Sequence, residues 1–279
     1  MMIESRTMSS SRLKESLEDL YQQFNDPSRI HPDPLEFVVT YQNVKDREIV
    51  ALIAACLAYG RVQAILKSVS SLLAPMEGRP RNFLASHTPG DFTEIYRNFV
   101  HRFTKGRDVA RLLSGMKNVI EIHGSLYRCF LRHDRPEAQT ILPGLTGFVG
   151  ELRRAAGAPL PFLLPDPEKG SALKRLNLFL RWMVRRDRVD PGGWNAISPT
   201  RLLYPLDTHI YAFARRVGFT RRKSADLKAT LEISARFRKL NPKDPVKYDF
   251  ALARVGILNM TNLSTQMEIK KEWRISRHS

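Results

Sequence analysis

Cysteine is nearly absent. Cys56 and Cys129 are the two in the sequence, too few and too far apart for a disulfide framework, a zinc ribbon or a four-cysteine cluster, and a reduced, cytoplasmic setting is expected. Long apolar runs are missing as well. None approaches the roughly 20 residues that a membrane span needs, and the Ser-rich N-terminus has no apolar stretch of signal-peptide type. A soluble, non-exported protein with no membrane partner is the expectation. Alternation of apolar and polar residues over strand lengths is absent too, which leaves an essentially all-α chain. Acidic residues are scarce against basic ones: 28 Asp and Glu face 45 Lys and Arg, for a formal charge of +17. Such an excess draws polyanions through counterion release, so nucleic acid is the first partner class, a generally basic soluble protein the alternative.

What is present is enough to build with. At 279 residues and 43% hydrophobic content, the chain can form one large domain or two lobes, each with a core. From 11 to 24, Leu13, Leu17, Leu20, Tyr21 and Phe24 recur at the spacing of a one-sided helix. Residues 25–34 read as an irregular connection. Asp46 then suits an N-cap for a core helix over 47–59, stopped by Gly60. Further helical patterns cover 63–73, 81–87, 92–103, 106–122, 124–132 and 140–156. The segment 157–170 breaks the run, with four prolines and two glycines in fourteen positions.

Two residues after that break stand out. Leu173, Leu176, Phe179, Leu180 and Met183 form an apolar face that places Lys174 in the first turn of a helix entered through a Gly-containing loop. A cation there opposes the macrodipole, which favours the uncharged amine that a nucleophile needs; a surface lysine on a basic helix is the plainer reading. In YPLDTHIYAFARRVG, residues 204–218, Asp207 sits where an N-cap belongs and Gly218 ends the helix. Capping alone would explain Asp207. A third helix is expected over 241–256, with Asp244 as N-cap and Pro245 at its first position. Between 211 and 240, nine Lys or Arg, among them Arg215, Arg221 and Arg222, stand against Asp226 and Glu232, a phosphate-binding profile or an ordinary solvated face.

Pro-Leu-Asp-Thr-His-Ile, followed by Arg215, Arg216, Val217, Gly218 and Phe219, resembles the stretch around the catalytic aspartate of endonuclease III-like DNA glycosylases of the helix-hairpin-helix superfamily. Gly170 lies four residues before Lys174, as a hairpin glycine precedes the Schiff-base lysine in those enzymes. The match covers about half the chain, loosely over 45–73 and more closely over 170–260. The whole sequence also resembles a bacterial family of unknown function. Two departures shift the likeness. Ala172 replaces the second hairpin glycine, and 33 residues separate Lys174 from Asp207, an interval closer to the archaeal 8-oxoguanine DNA glycosylases. Ile257, Leu258, Asn259 and Met260 stand where endonuclease III has cluster cysteines. No iron–sulfur cluster, metal or other cofactor is therefore expected.

The resemblance implies two helical lobes, one over 45–186 ending in the hairpin helix, the other combining 11–41 with 204–279, and an active site in their cleft. It implies excision of a damaged base, flipped from double-stranded DNA, by a monomer associated with the nucleoid. Lys174 and Asp207 would be the catalytic pair. Arg175, Arg181, Arg215, Arg221, Arg222 and Gly170 would contact DNA, and Tyr59, Arg61 and Gln63 lie where the superfamily fills the gap left by the flipped base. The insertion 187–203 either carries Trp194 to a substrate pocket beside His209 or is a surface loop. 8-Oxoguanine is the first substrate by spacing, with oxidised pyrimidines and RNA left open. Two rival classes remain: an inactive DNA-binding protein of the same fold, and a metal-dependent hydrolase using Asp207, His209 and Asp249. The latter is disfavoured because no two of the seven histidines stand four apart.

Overall fold

A computed structural model describes residues 10–261, with side chains as far as residue 256. It is all-α. The helices are α1 (Ser10–Phe24), α2 (Leu35–Val39), α3 (Val44–Leu57), α4 (Val62–Leu73), α5 (Pro80–Ser86), α6 (Pro89–Ile95), α7 (Gly106–His123), α8 (Leu126–His133), α9 (Leu142–Ala155), α10 (Lys174–Val184), α11 (Thr208–Arg216), α12 (Leu227–Leu240) and α13 (Asp249–Thr261). Among the described residues the one sheet is a hairpin, β1 (Val100–His101) against β2 (Thr104–Lys105).

Helix α3 is the axis of the core. Every residue from Arg47 to Leu57 is buried, the pattern of a helix surrounded by others rather than lying on a surface. It packs against α2, α4, α5, α8 and α10. Helices α7, α8 and α9 pack on one another, while α13 takes α1 on one side and α11 on another. A continuous cluster of buried side chains runs from Leu13 to Leu252. None of the described helices is long and apolar enough to cross a membrane.

Several local expectations are corrected. Asn43, not Asp46, caps α3 by accepting from Lys45 N, and Asp46 instead accepts from the backbone N–H of Arg81 at 2.9 Å. The helix expected over 92–103 starts and stops earlier. A capping box of Thr88 and Asp91 begins α6, and the chain beyond Tyr96 turns into the β-hairpin. Gly106 is required there, since a Cβ would lie 1.8 Å from the carbonyl oxygen of Tyr96. The third expected helix starts at Asp249 rather than near Asp244, because Asp244 receives Arg185 Nε on both carboxylate oxygens (3.1 and 2.9 Å) and has no part in capping.

The insertion 187–203 is partly a surface loop, with Arg188, Asn195, Ala196 and Ser198 exposed, but it carries Trp194 into the core rather than to a pocket. Trp194 is fully buried, stacked on Tyr127 at 5.3 Å and edge-on to Phe179. Its indole Nε1 donates to Glu48 Oε2 at 3.1 Å. Gly192 and Gly193 allow this plug to seat: both have positive φ, and a Cβ at Gly193 would meet Val44 at 2.8 Å. Residues 1–9, and 262–279 of the expected second lobe, lie outside the described residues; 257–260 continue α13, with side chains that also lie outside them.

Candidate active site

Lys174 is the first residue of α10, and the turn before it is built from unusual backbone. Gly170 has φ +78° and Leu173, the N-cap residue, φ +53° with no capping side chain. A left-handed leucine costs on the order of 1–2 kcal/mol. It is held there because its side chain is buried, 3% exposed, and because the loop is tied to the start of α12. The carbonyl of Gly170 accepts from Leu227 N at 2.9 Å, and that of Ala172 from Thr230 Oγ1 at 3.3 Å. The other side of α10 is anchored on α3. The first-turn lysine is thereby fixed between two rigid elements.

Asp207 is the N-cap of α11, as expected, and its two oxygens divide the work. Oδ1 accepts from Ile210 N at 2.8 Å, and Oδ2 lies 3.9 Å from Lys174 Nζ. The lysine side chain is 40% exposed and the aspartate 20%. The pair expected from sequence is thus brought together at an accessible surface. His209 is half-buried two residues on, close enough to α13 that a Cβ on Gly256 would meet it at 3.0 Å.

Beneath Asp207 lies a buried ionic cluster. Arg181 donates to Asp190 (Nη2, 2.8 Å) and to Asp249 (Nη1, 2.6 Å), and Arg185 bridges Asp187, Asp190 and Asp244. Burial opposes the Arg181 charge, and the carboxylates of Asp190 and Asp249 outweigh it, raising its pKa. Arg181 is 3% exposed, so it is a structural ion and not a DNA contact. Arg175 is also spent. It donates Nη1 to Cys56 O at 2.6 Å and Nη2 to Phe162 O, with its guanidinium over the Tyr59 and Phe162 rings. These two correct the expected set of phosphate contacts, and Trp194, in the core, corrects the expected pocket.

Tyr59 donates its hydroxyl to His101 O at 2.7 Å and packs edge-on to Phe162. Arg61 and Gln63 are exposed beyond it. Sequence reading missed what surrounds them: Val100, Phe103 and Phe162 are 66%, 68% and 39% exposed, and Phe103 contacts Phe162 at 5.3 Å between centroids. An exposed aromatic edge therefore stands beside Tyr59, linked to α10 through Arg175. The signal was present as two aromatics in segments read as helix and as linker.

Of the basic stretch, Arg215, Arg221, Arg236 and Lys239 are exposed, whereas Arg222 pairs with Asp226 at 2.9 Å and Arg238 donates to Thr200 O at 2.9 Å. Arg221, Arg236 and Lys239 line an open groove of about 520 Å³ with Phe219 and Thr220. Asp207, His209 and Asp249 form no metal set, Asp249 being held by Arg181. Among the described residues the metal-type group that converges is His123, Cys129 and Glu151. Against burial, hydrogen bonds from His133 and His123 hold the Glu151 carboxyl down at about 2.

A family model described as "Protein of unknown function (DUF2400)" matches residues 33–258. Comparison with curated proteins and with solved structures gives no match.

Proposed function

The chain belongs to the DUF2400 family, and we propose that it is a DNA glycosylase with abasic-site lyase activity, excising an oxidised base such as 8-oxoguanine. The observation that carries this reading is the placement of Lys174 Nζ 3.9 Å from Asp207 Oδ2 at an accessible helix N-terminus. An amine beside a carboxylate that is itself fixed by a cap bond is what covalent attack at a sugar carbon requires. The proton of Lys174 passes toward Asp207, and the Nζ electron pair forms a bond to C1′. The C1′–N bond to the base breaks, and the base leaves with the electrons of that bond and takes up the proton that Asp207 accepted. Ring opening then gives an imine, from which elimination can cut the strand. Once it has passed that proton on, the Asp207 carboxylate stabilises positive charge developing on the sugar.

The rest of the reading follows the same surface. The two lobes proposed are 45–186 and 11–41 with 204–279, with the target base entering between them near α10 and α11. Flipping costs a few kcal/mol of stacking, least for a damaged or mispaired base. The exposed edge of Phe103 and Phe162 beside Tyr59, Arg61 and Gln63 offers apolar surface to occupy the vacated stack. Arg215, Arg221, Arg236 and Lys239 supply phosphate contacts.

The test is a panel of duplexes, each with a single modified base, incubated with the purified chain. Release of one base class that stops in Asp207→Asn supports the reading. Duplex binding with no release from any member favours the alternative, a DNA-binding protein in which Asp207 serves as a cap.

A further inference from the structure

Three helices other than α10 and α11 bring metal-type ligands around Glu151. His123 ends α7, Cys129 and His133 lie four apart on α8, and Glu151 is on α9. Such i, i+4 spacing puts Cys129 and His133 on one face. His123 Nε2 is 2.5 Å from Glu151 Oε1, His133 Nε2 contacts Oε2, and Cys129 Sγ is 3.6 Å from Oε2. The donor atoms of His123, Cys129 and Glu151 all lie within 4.8 Å of one another. Cys129 is fully buried, and the side chains of His123 and Glu151 are 12% and 14% exposed.

A second observation is independent of these contacts. Gly147 stands one turn before Glu151 on α9, and a Cβ there would come within 2.6 Å of the Cβ and Cγ of His133. The glycine is what lets the His133 imidazole reach the carboxylate. It does so inside a helix, where glycine costs roughly 0.5–1 kcal/mol relative to alanine.

We propose that His123, Cys129, His133 and Glu151 form a four-ligand site for a zinc-type divalent ion that ties α7, α8 and α9 together. Two imidazoles, a thiolate and a carboxylate are the donors such an ion takes, and four protein ligands make a closed, structural site rather than a catalytic one. Hard ions such as magnesium are excluded by the nitrogen and sulfur donors. Binding releases the Cys129 proton, requires the Nε2 protons that His123 and His133 donate to Glu151 to leave or to move to Nδ1, and replaces the two imidazole–carboxylate hydrogen bonds with metal–ligand bonds. Tetrahedral ligand atoms stand about 3.3–3.8 Å apart, so Glu151 withdraws and the His133 ring, which reaches Glu151 but lies outside the 4.8 Å group, swings in to admit the ion. None of the four residues belongs to the Lys174 and Asp207 site, so this inference stands or falls apart from the proposed function.

The experiment uses the full chain. After dialysis against micromolar zinc chloride and then metal-free buffer, elemental analysis should find about one zinc per chain. Cobalt(II) in its place should give visible bands of tetrahedral strength and a near-ultraviolet thiolate charge-transfer band. Cys129→Ser should lose the charge-transfer band and Cys56→Ser should keep it. If Cys129→Ser loses its helical circular dichroism, His133→Ala carries the test: its side chain is 28% exposed, and its metal affinity should fall at least 10-fold with helicity kept. Zinc should raise the melting midpoint of the wild type and leave that of His133→Ala unmoved; magnesium should move neither. No retained zinc, a charge-transfer band that survives in a folded Cys129→Ser, or full affinity in His133→Ala overturns the proposal and leaves a hydrogen-bonded cluster.

Discussion

Lys174 Nζ stands 3.9 Å from Asp207 Oδ2 across 33 positions of sequence, while the other oxygen of the same carboxylate holds the first turn of α11. Capping and the approach to lysine therefore use different atoms of Asp207, and substitution can separate them. Asparagine caps a helix about as well as aspartate, and a pair this exposed contributes about 0–1 kcal/mol. Asp207→Asn should lower stability by less than about 1 kcal/mol in urea denaturation and lower base release by orders of magnitude. A variant as active as the wild type on a confirmed substrate would reduce Asp207 to a cap.

The exposed basic residues predict a salt-dependent affinity for duplex DNA. With several phosphates neutralised, each adding about 0.9 to the log–log slope, binding should weaken steeply between low and moderate salt. Arg221→Glu and Arg236→Glu should each make the slope shallower by about one, measured by fluorescence anisotropy. A slope near zero in the wild type would show that the groove they line meets no phosphate.

Arg181 should behave oppositely. It is buried between Asp190 and Asp249, and removing one partner of a buried ionic group leaves uncompensated charge. Arg181→Ala should cost about 3–5 kcal/mol. The salt slope of DNA binding, if the variant is folded, should not change. A mild loss of stability with a shallower slope would return Arg181 to the DNA contacts.

Much of the fold was legible in the sequence because helices announce themselves by period. The pattern of Leu13, Leu17 and Phe24 marks α1, and Asp207 with Gly218 brackets α11. Charged residues were harder. Arg181, Arg175 and Arg221 are identical in composition terms, and what separates them is burial: Arg181 is held by Asp249 and Arg175 by the carbonyl of Cys56, both from segments distant in sequence, which no local pattern encodes. Trp194, in a Gly-rich stretch, looks like loop until Glu48 and Phe179 are seen to surround it. The juxtaposition of Lys174 with Asp207 came from resemblance, not from periodicity.

Glu48 gives a pH dependence. It is buried, accepting from Leu126 N, Tyr127 N and the Trp194 indole. Burial, only partly offset by these donors, pushes its carboxyl up from the ordinary 4.5 to about 7. The folded state then holds this proton more tightly than the unfolded chain. The resulting stability is complete below about pH 4.5 and is lost as pH rises through about 7, amounting to at most about 3 kcal/mol. Wild type should therefore lose stability relative to Glu48→Gln between about pH 5 and 8 in paired urea titrations. A difference that stays flat or moves the other way would show that the three donors keep Glu48 ionised throughout.

Borohydride trapping is the most direct test of the proposal that Lys174 acts as a nucleophile beside Asp207. The full chain is incubated with a duplex carrying 8-oxoguanine, and in parallel with one carrying an abasic site, and the products are separated under denaturing conditions. The imine between Lys174 and C1′ should be reduced to a stable amine, giving a protein–DNA band in the wild type. Lys174→Gln should remove that band while keeping its helical spectrum and its affinity for duplex, because the side chain is 40% exposed and contributes little to packing. An adduct that persists undiminished in Lys174→Gln, or its absence from the wild type on both duplexes, would contradict the claim.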